Sequence, residues 1–296
     1  MSTRMCQVKK IAKDVLYRVF QVVKPVETEA DLENPIYGFN PEEKEATRAG
    51  IPGIAKENQN FLALPKIWVD FVNGIIYTLY FPIFEALEKL AKTTRRFIPL
   101  GLSIVVKTSD NKVIALQRSS KNRSCKGFLS LPAAFMTFGF SNFATREMST
   151  STNFVTKIIA DIIKILKNEL GLLEGEYKWD FKDPNTMYVV KNDYPSNQDE
   201  IIIIVTTKLT AKQVIARAEK NKADQGLPSE NNVFMLNKKT FLYLLSLEIP
   251  GATAHLAALC IAFGLDPEVL LANYPTHPST EEFKNSIKTL IMNYQQ

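Results

Sequence analysis

Apolar residues recur along this chain with two spacings, and the change of spacing marks its elements. Residues 101–107, reading GLSIVVK, form a largely apolar stretch. Ser109, Asp110, Asn111 and Lys112 follow as a turn, and residues 113–117 run apolar again, which predicts a hairpin. Residues 154–170 place Ile158, Ile159, Ile162, Ile163 and Leu166 at helical spacing, with Thr152 or Asn153 as cap and Gly171 as stop. Strands are predicted at 186–190, 201–209 and 233–236. Helices are predicted at 211–221 (capped by Thr210), 241–247, 252–263 and 281–293. Strands and helices in this order predict an α/β fold, layered as an α/β/α sandwich around a mixed sheet.

The first third of the chain reads differently. Val8, Ile11, Val15, Val19 and Val22 recur at helical spacing among Arg4, Lys9, Lys10, Lys13 and Arg18. This predicts a basic amphipathic helix over residues 1–23, either docked on the domain or serving organellar import. Residues 28–60 are polar, with Pro35, Pro41 and Pro52, and read as loop. Residues 71–84 are the most apolar stretch. They contain Asn73, Gly74 and Pro82 and fall short of the roughly 20 residues that span a bilayer, so they read as buried. Residues 84–92 read as an amphipathic helix. The expected organisation is an irregular, partly helical extension over 1–96 and an α/β domain over 97–296.

Composition adds little to the fold and more to the setting. The chain has 296 residues, 46% of them hydrophobic, enough for a sizeable core. A net charge of +5 suits anionic ligands. Cys6, Cys125 and Cys260 are odd in number and far apart, which argues against a disulfide framework and for a reducing, cytoplasmic compartment. His255 and His277 are too few for a zinc cluster.

Two segments carry candidate chemistry: SLPAAFMTFGF, starting at Ser130, and KILKNELGL, starting at Lys164. Together they resemble the signature of the Nudix superfamily. That signature is a glycine loop and a lone Glu, followed by a helix reading R-E-U-x-E-E-x-G-U, with U a bulky aliphatic. The flanking chain is similar to the branch that cleaves UDP-sugars. The similarity lies in Pro99-Leu100-Gly101, Thr108-Ser109-Asp110, Gln117-Arg118-Ser119 and Leu209-Thr210-Ala211-Lys212-Gln213-Val214. It extends to an insertion over residues 141–163 and an Ala-rich closing helix after Pro250-Gly251. The resemblance implies a Nudix fold over about residues 97–265 and a nucleoside-diphosphate-linked ligand.

Position by position, the resemblance also implies a loss. Ala134 stands for the loop glycine and Phe140 for the lone Glu. Lys164 and Ile165 stand for R-E, and Asn168 and Glu169 for E-E, while Gly171 and Leu172 keep the closing pair. Glu169 with Asn168 is all that remains of the metal ligands. Mg²⁺ is expected only if some activity survives, because it wants several oxygen ligands and hydrolysis needs an activated water. No catalytic residue is assigned. Arg146-Glu147-Met148 also spells R-E-U, but Ser149 to Asn153 bring no acid and make a poor helix interior.

Arg118, Arg123 and Lys126, with Lys121, form a basic cluster suited to phosphate oxygens. Phe140, with Phe128, Phe135 and Phe138, either fills the vacated site or stacks a base. Three functions follow. The first is an inactive module that binds a nucleotide-diphosphate-type ligand or a protein. The second is an active Mg²⁺-dependent pyrophosphohydrolase of a nucleotide sugar, completed by acids such as Glu147, Glu174 or Glu176. The third is a structural or RNA-binding subunit of a larger assembly.

Overall fold

The computed structural model describes residues 97–118, 127–135, 151–183, 185–192, 198–224, 232–272 and 274. It also describes short strands before residue 82 and single positions at 30, 33, 41, 44 and 45. Residues 201–205, without one polar side chain, lie at the centre as part of β13 (Gln198–Thr207). On one side β13 pairs in parallel with the long β6 (Phe97–Lys107), and on the other antiparallel with β12 (Met187–Asn192). Residues 201–205 are all buried. Ile201, Ile203 and Val205 enter one hydrophobic cluster, and Ile202 and Ile204 enter another. A strand covered on both faces has no polar side to present, which explains its unbroken apolar run.

Helices cover both faces. α1 (Phe154–Leu170) and α2 (Ala211–Asp224) pack on the Ile203 side through Ile158, Ile162, Leu166, Val214 and Ala218. α3 (Lys238–Ser246), α4 (Thr253–Ala262) and α5 (Pro267–Leu271) pack on the Ile202 side through Phe241, Leu244, Leu256 and Leu271. The expected α/β architecture with a mixed sheet is therefore present. α4 is buried along nearly its whole length, so its Ala-rich sequence is a core sequence rather than an amphipathic one.

The hairpin forms as expected, with β7 (Val113–Gln117) returning on β6. Asn111 takes a φ of 57°, a conformation that Asn tolerates better than most residues. Asp110 accepts hydrogen bonds from the Thr108 hydroxyl at 2.7 Å and from the Ala211 amide at 2.9 Å. The hairpin turn thereby caps the start of α2. Thr210 and Gln213 complete that start, the Gln213 side chain accepting from the Thr210 amide at 2.8 Å. α3 starts three residues before the predicted 241, because Asn237 and Thr240 form a reciprocal capping box. The predicted helix at 281–293 and the one at 84–92 lie outside the described residues.

The helix expected over residues 1–23 is not what forms where those residues are described. β1 (Gln7–Lys10) pairs antiparallel with β12, and β2 (Val19–Val22) pairs in parallel with β5 (Ile75–Phe81). β-Branched valines fit a pleated surface, and an open strand edge supplies backbone partners that local spacing does not reveal. Beyond β6 the sheet continues through β3 (Phe61–Pro65) to β5, β2 and β10 (Ser151–Asn153). Thr152 and Asn153, the two candidate caps of α1, are thus strand residues immediately before it. No helix among the described residues is long and apolar enough to cross a membrane.

Candidate functional site

Two pieces of the sequence signature can be placed. The first begins with β8 (Leu129–Ser130) on β7 and continues with β9 (Ala133–Phe135) on β6. Ala134 pairs with Leu102 in a regular antiparallel register. Extended backbone of this kind suits alanine, which removes any need for glycine there. The second piece is the C-terminal half of α1. Ile165 is 4% exposed and belongs to the core with Ile158, Ile162 and Leu166. Lys164, Lys167 and Asn168 are exposed, and Glu169 is half-buried.

The end of α1 is closed by α2. The Gly171 amide donates to the Lys167 carbonyl at 3.0 Å, and the Leu172 amide to the Leu166 carbonyl at 3.2 Å. Asn221 then reaches across from α2, its Nδ2 donating to the Lys167 and Asn168 carbonyls at 3.1 and 3.0 Å. The Asn168 carbonyl is one that a helix end otherwise leaves unpaired, while the Lys167 carbonyl gains a second donor beside the Gly171 amide. Gly171 has φ +65°, and a Cβ added there would lie 2.8 Å from Asn221 Cβ. Glycine is required twice over, by backbone conformation and by close approach. Leu172 follows, fully in the core at 1% exposure.

Glu169 faces the same neighbour. Burial pulls the Lys222 ammonium below the ordinary lysine value, and the carboxylates of Glu169 and Glu219 oppose that shift. Of the acids considered as replacements, Glu176 pairs with Arg217 and accepts from the Leu173 amide at 2.7 Å. Glu174 is exposed beside Tyr177, and Glu147 lies outside the described residues. Among the described residues no group of three or more His, Cys, Asp or Glu could hold a metal ion. With Ile165 in the core and Glu169 set against Lys222, the described residues do not fit a Mg²⁺ site.

The candidate phosphate-binding residues are placed in part. Arg118 is half-buried at the end of β7. Its amide donates to the Phe128 carbonyl at 2.9 Å, and its carbonyl accepts from the Gly127 amide at 3.0 Å. Arg118 therefore stands where the chain leaves the sheet and where it returns. Arg123, Lys126 and Phe140 lie outside the described residues.

Sequence reasoning missed a buried polar chain on the other face of the sheet. Ser103 of β6 donates to Glu200 of β13. His255 Nε2 lies 3.0 Å from Glu200 Oε1, and His255 Nδ1 lies 3.0 Å from Ser130 Oγ. All four residues are buried. The available signal was Glu200 itself, an acid opening the most apolar strand of the chain.

No family model matches the chain, and no curated protein matches it. Among solved structures it is similar to a NUDIX hydrolase from Alicyclobacillus acidocaldarius, at 11% identity and a TM-score of 0.37, over 61% of this chain and 98% of that one. It is similar to NrtR from Shewanella oneidensis, solved with a 27mer DNA, at 15% identity and a TM-score of 0.32, over 64% of this chain and 82% of that one. The MutT protein from Methanosarcina mazei is similar at 10% identity and a TM-score of 0.23, over 43% of this chain and 95% of that one.

Proposed function

We propose that this chain is a Nudix-type protein that has lost hydrolysis and retains a binding role. Its ligand is a nucleoside-diphosphate-linked molecule or a protein partner. The observation that carries the reading is Ile165. The sequence resemblance puts a carboxylate at this position, and here an apolar side chain packs into the core at 4% exposure. A carboxylate there would lose its hydration without gaining a metal, at a cost of several kcal/mol. Arg118 is a candidate for an anion, and the residues that follow it in sequence include Arg123 and Lys126. Guanidinium and ammonium groups bind phosphate oxygens without any metal.

Calorimetric titration with UDP-glucose and with ADP-ribose, each with and without Mg²⁺, tests the reading when the same mixtures are assayed for products. The expected result is metal-independent binding, weakened in Arg118→Ala, with no turnover. Turnover that disappears in Glu169→Gln would overturn it in favour of an active pyrophosphohydrolase. Absence of any nucleotide binding would move the assignment to an assembly role with protein or RNA.

A further inference from the structure

The buried polar chain joins elements that are far apart in sequence. Ser103 and Glu200 sit on neighbouring central strands, Ser130 on β8, and His255 in the first turn of α4. The serine, imidazole and carboxylate of a hydrolase triad are all present. Ser130 at 3% exposure and His255 at 6%, however, are both buried rather than presented to solvent. Their arrangement is mechanical.

Three further contacts bind the same pieces. The Leu129 amide donates to the Pro250 carbonyl at 2.8 Å, and Leu129 bridges in parallel to Gly251. The Ile104 amide donates to the Pro132 carbonyl at 2.8 Å, seating the segment between β8 and β9 on β6. Gly251 allows α4 to approach, because a Cβ there would fall 2.8 Å from Leu256 Cδ2. The start of α4 has no side-chain cap at Ala252. Glu200 reaches that first turn through its contact with His255, 3.0 Å from Nε2. Neither α4 nor the 130–135 segment is anchored by its own residues alone.

We propose that the Ser103–Glu200–His255–Ser130 chain is a conformational latch. It makes the docking of α4 and the seating of residues 130–135 one cooperative event, so a molecule that displaces either displaces both. This does not depend on which ligand the protein binds.

Native-state hydrogen exchange of the full chain tests it. The variant is Ser130→Ala, which removes the hydroxyl that meets His255 Nδ1 at 3.0 Å and the carbonyl of Leu131 at 3.2 Å. The amides read are Ile104, bonded to Pro132, Leu256, bonded to Ala252 within α4, and Gly171, bonded to Lys167 on the opposite face. The latch requires exchange at both Ile104 and Leu256 to rise by on the order of tenfold, the loss of about one net hydrogen bond. Gly171 should stay unchanged. Faster exchange at Ile104 alone, at all three sites equally, or at none, overturns the proposal. Gly251→Ala supplies the reciprocal arm by pushing on Leu256. It should raise exchange at Ile104, and its failure to do so is equally decisive if Ser130→Ala does not fold.

Discussion

Replacing Gly171 with alanine separates two reasons for a glycine that usually come mixed. The first is backbone conformation. At φ +65° a Cβ costs about 1–2 kcal/mol. The second is contact. The new Cβ would lie 2.8 Å from Asn221 Cβ, 3.2 Å from Asn221 Cγ and 3.3 Å from Arg217 Cγ. Asn221 Cβ is fixed to the backbone of α2, so relief means moving the helix or losing the Asn221 side-chain geometry. Two hydrogen bonds to the end of α1 depend on that geometry, each contributing roughly 0.5–1.5 kcal/mol net. The expected loss for Gly171→Ala is therefore about 2–5 kcal/mol, the sum of both parts.

Gly264 supplies the matched control. Its φ is +66°, and nothing lies within 4 Å of the Cβ it would carry. Gly264→Ala should lose only the conformational part. Urea unfolding followed by far-ultraviolet circular dichroism gives both values. Asn221→Ala, alone and combined with Gly171→Ala, completes a cycle with an expected coupling of about 0.5–3 kcal/mol, since the second change removes bonds the first has broken. Equal losses for Gly171→Ala and Gly264→Ala would refute the argument that α2 closes the end of α1 through this contact.

Three further changes test other parts of the structure. Ile165→Glu should lose more than about 3 kcal/mol by urea unfolding and gain no Mg²⁺ affinity, against about 0.5–1.5 kcal/mol for Ile165→Val; a folded variant that binds Mg²⁺ would contradict the core placement. Asn237→Ala should lose about 0.5–2 kcal/mol, because it removes the capping box that starts α3. Asp110→Asn tests the turn that caps α2. Burial pushes the Asp110 carboxyl up, but the Thr108 hydroxyl, the Ala211 amide and Lys112 together hold it below its ordinary value of 3.8. A depressed carboxyl contributes stability above its unfolded pKa and loses it as pH falls through the folded one. The stability difference between wild type and Asp110→Asn should thus be constant above about pH 4 and shrink below it. A difference that grows on acidification would reverse the assignment.

Local rules made much of this fold legible. α1 was readable over its full span because five isoleucine and leucine positions set its period and Gly171 stops it. The start of α2 was readable because Thr210 is a capping residue directly before the helix. The strand misread as helix at β1 shows the opposite case. Val8 is the one apolar residue among its four, too little to carry either spacing, and the decision belongs to β12, far along the chain. The site divides the same way. That Phe140, Ile165 and Asn168 are not acids was visible in the sequence, because it concerns residue identity. That Glu169 faces Lys222, that Asn221 caps α1, and that Glu200 meets His255 were not visible, because each is a meeting of distant segments fixed only by packing.

The sheet order also dictates when the protein can be finished. Val8 pairs with Val190 on one side of the central strands, and Leu64 pairs with Ile98 on the other. The outer edge of β1 is occupied in turn by Glu268, which accepts from the Val8 amide at 3.2 Å. During synthesis the first strand emerges with nothing to pair with and waits for most of the chain. Closing so long a loop is slow, and a strand left waiting keeps its backbone groups unpaired in the meantime. β1 is thus made long before its partner β12, and refolding from denaturant should report β1 as the final strand to gain protection.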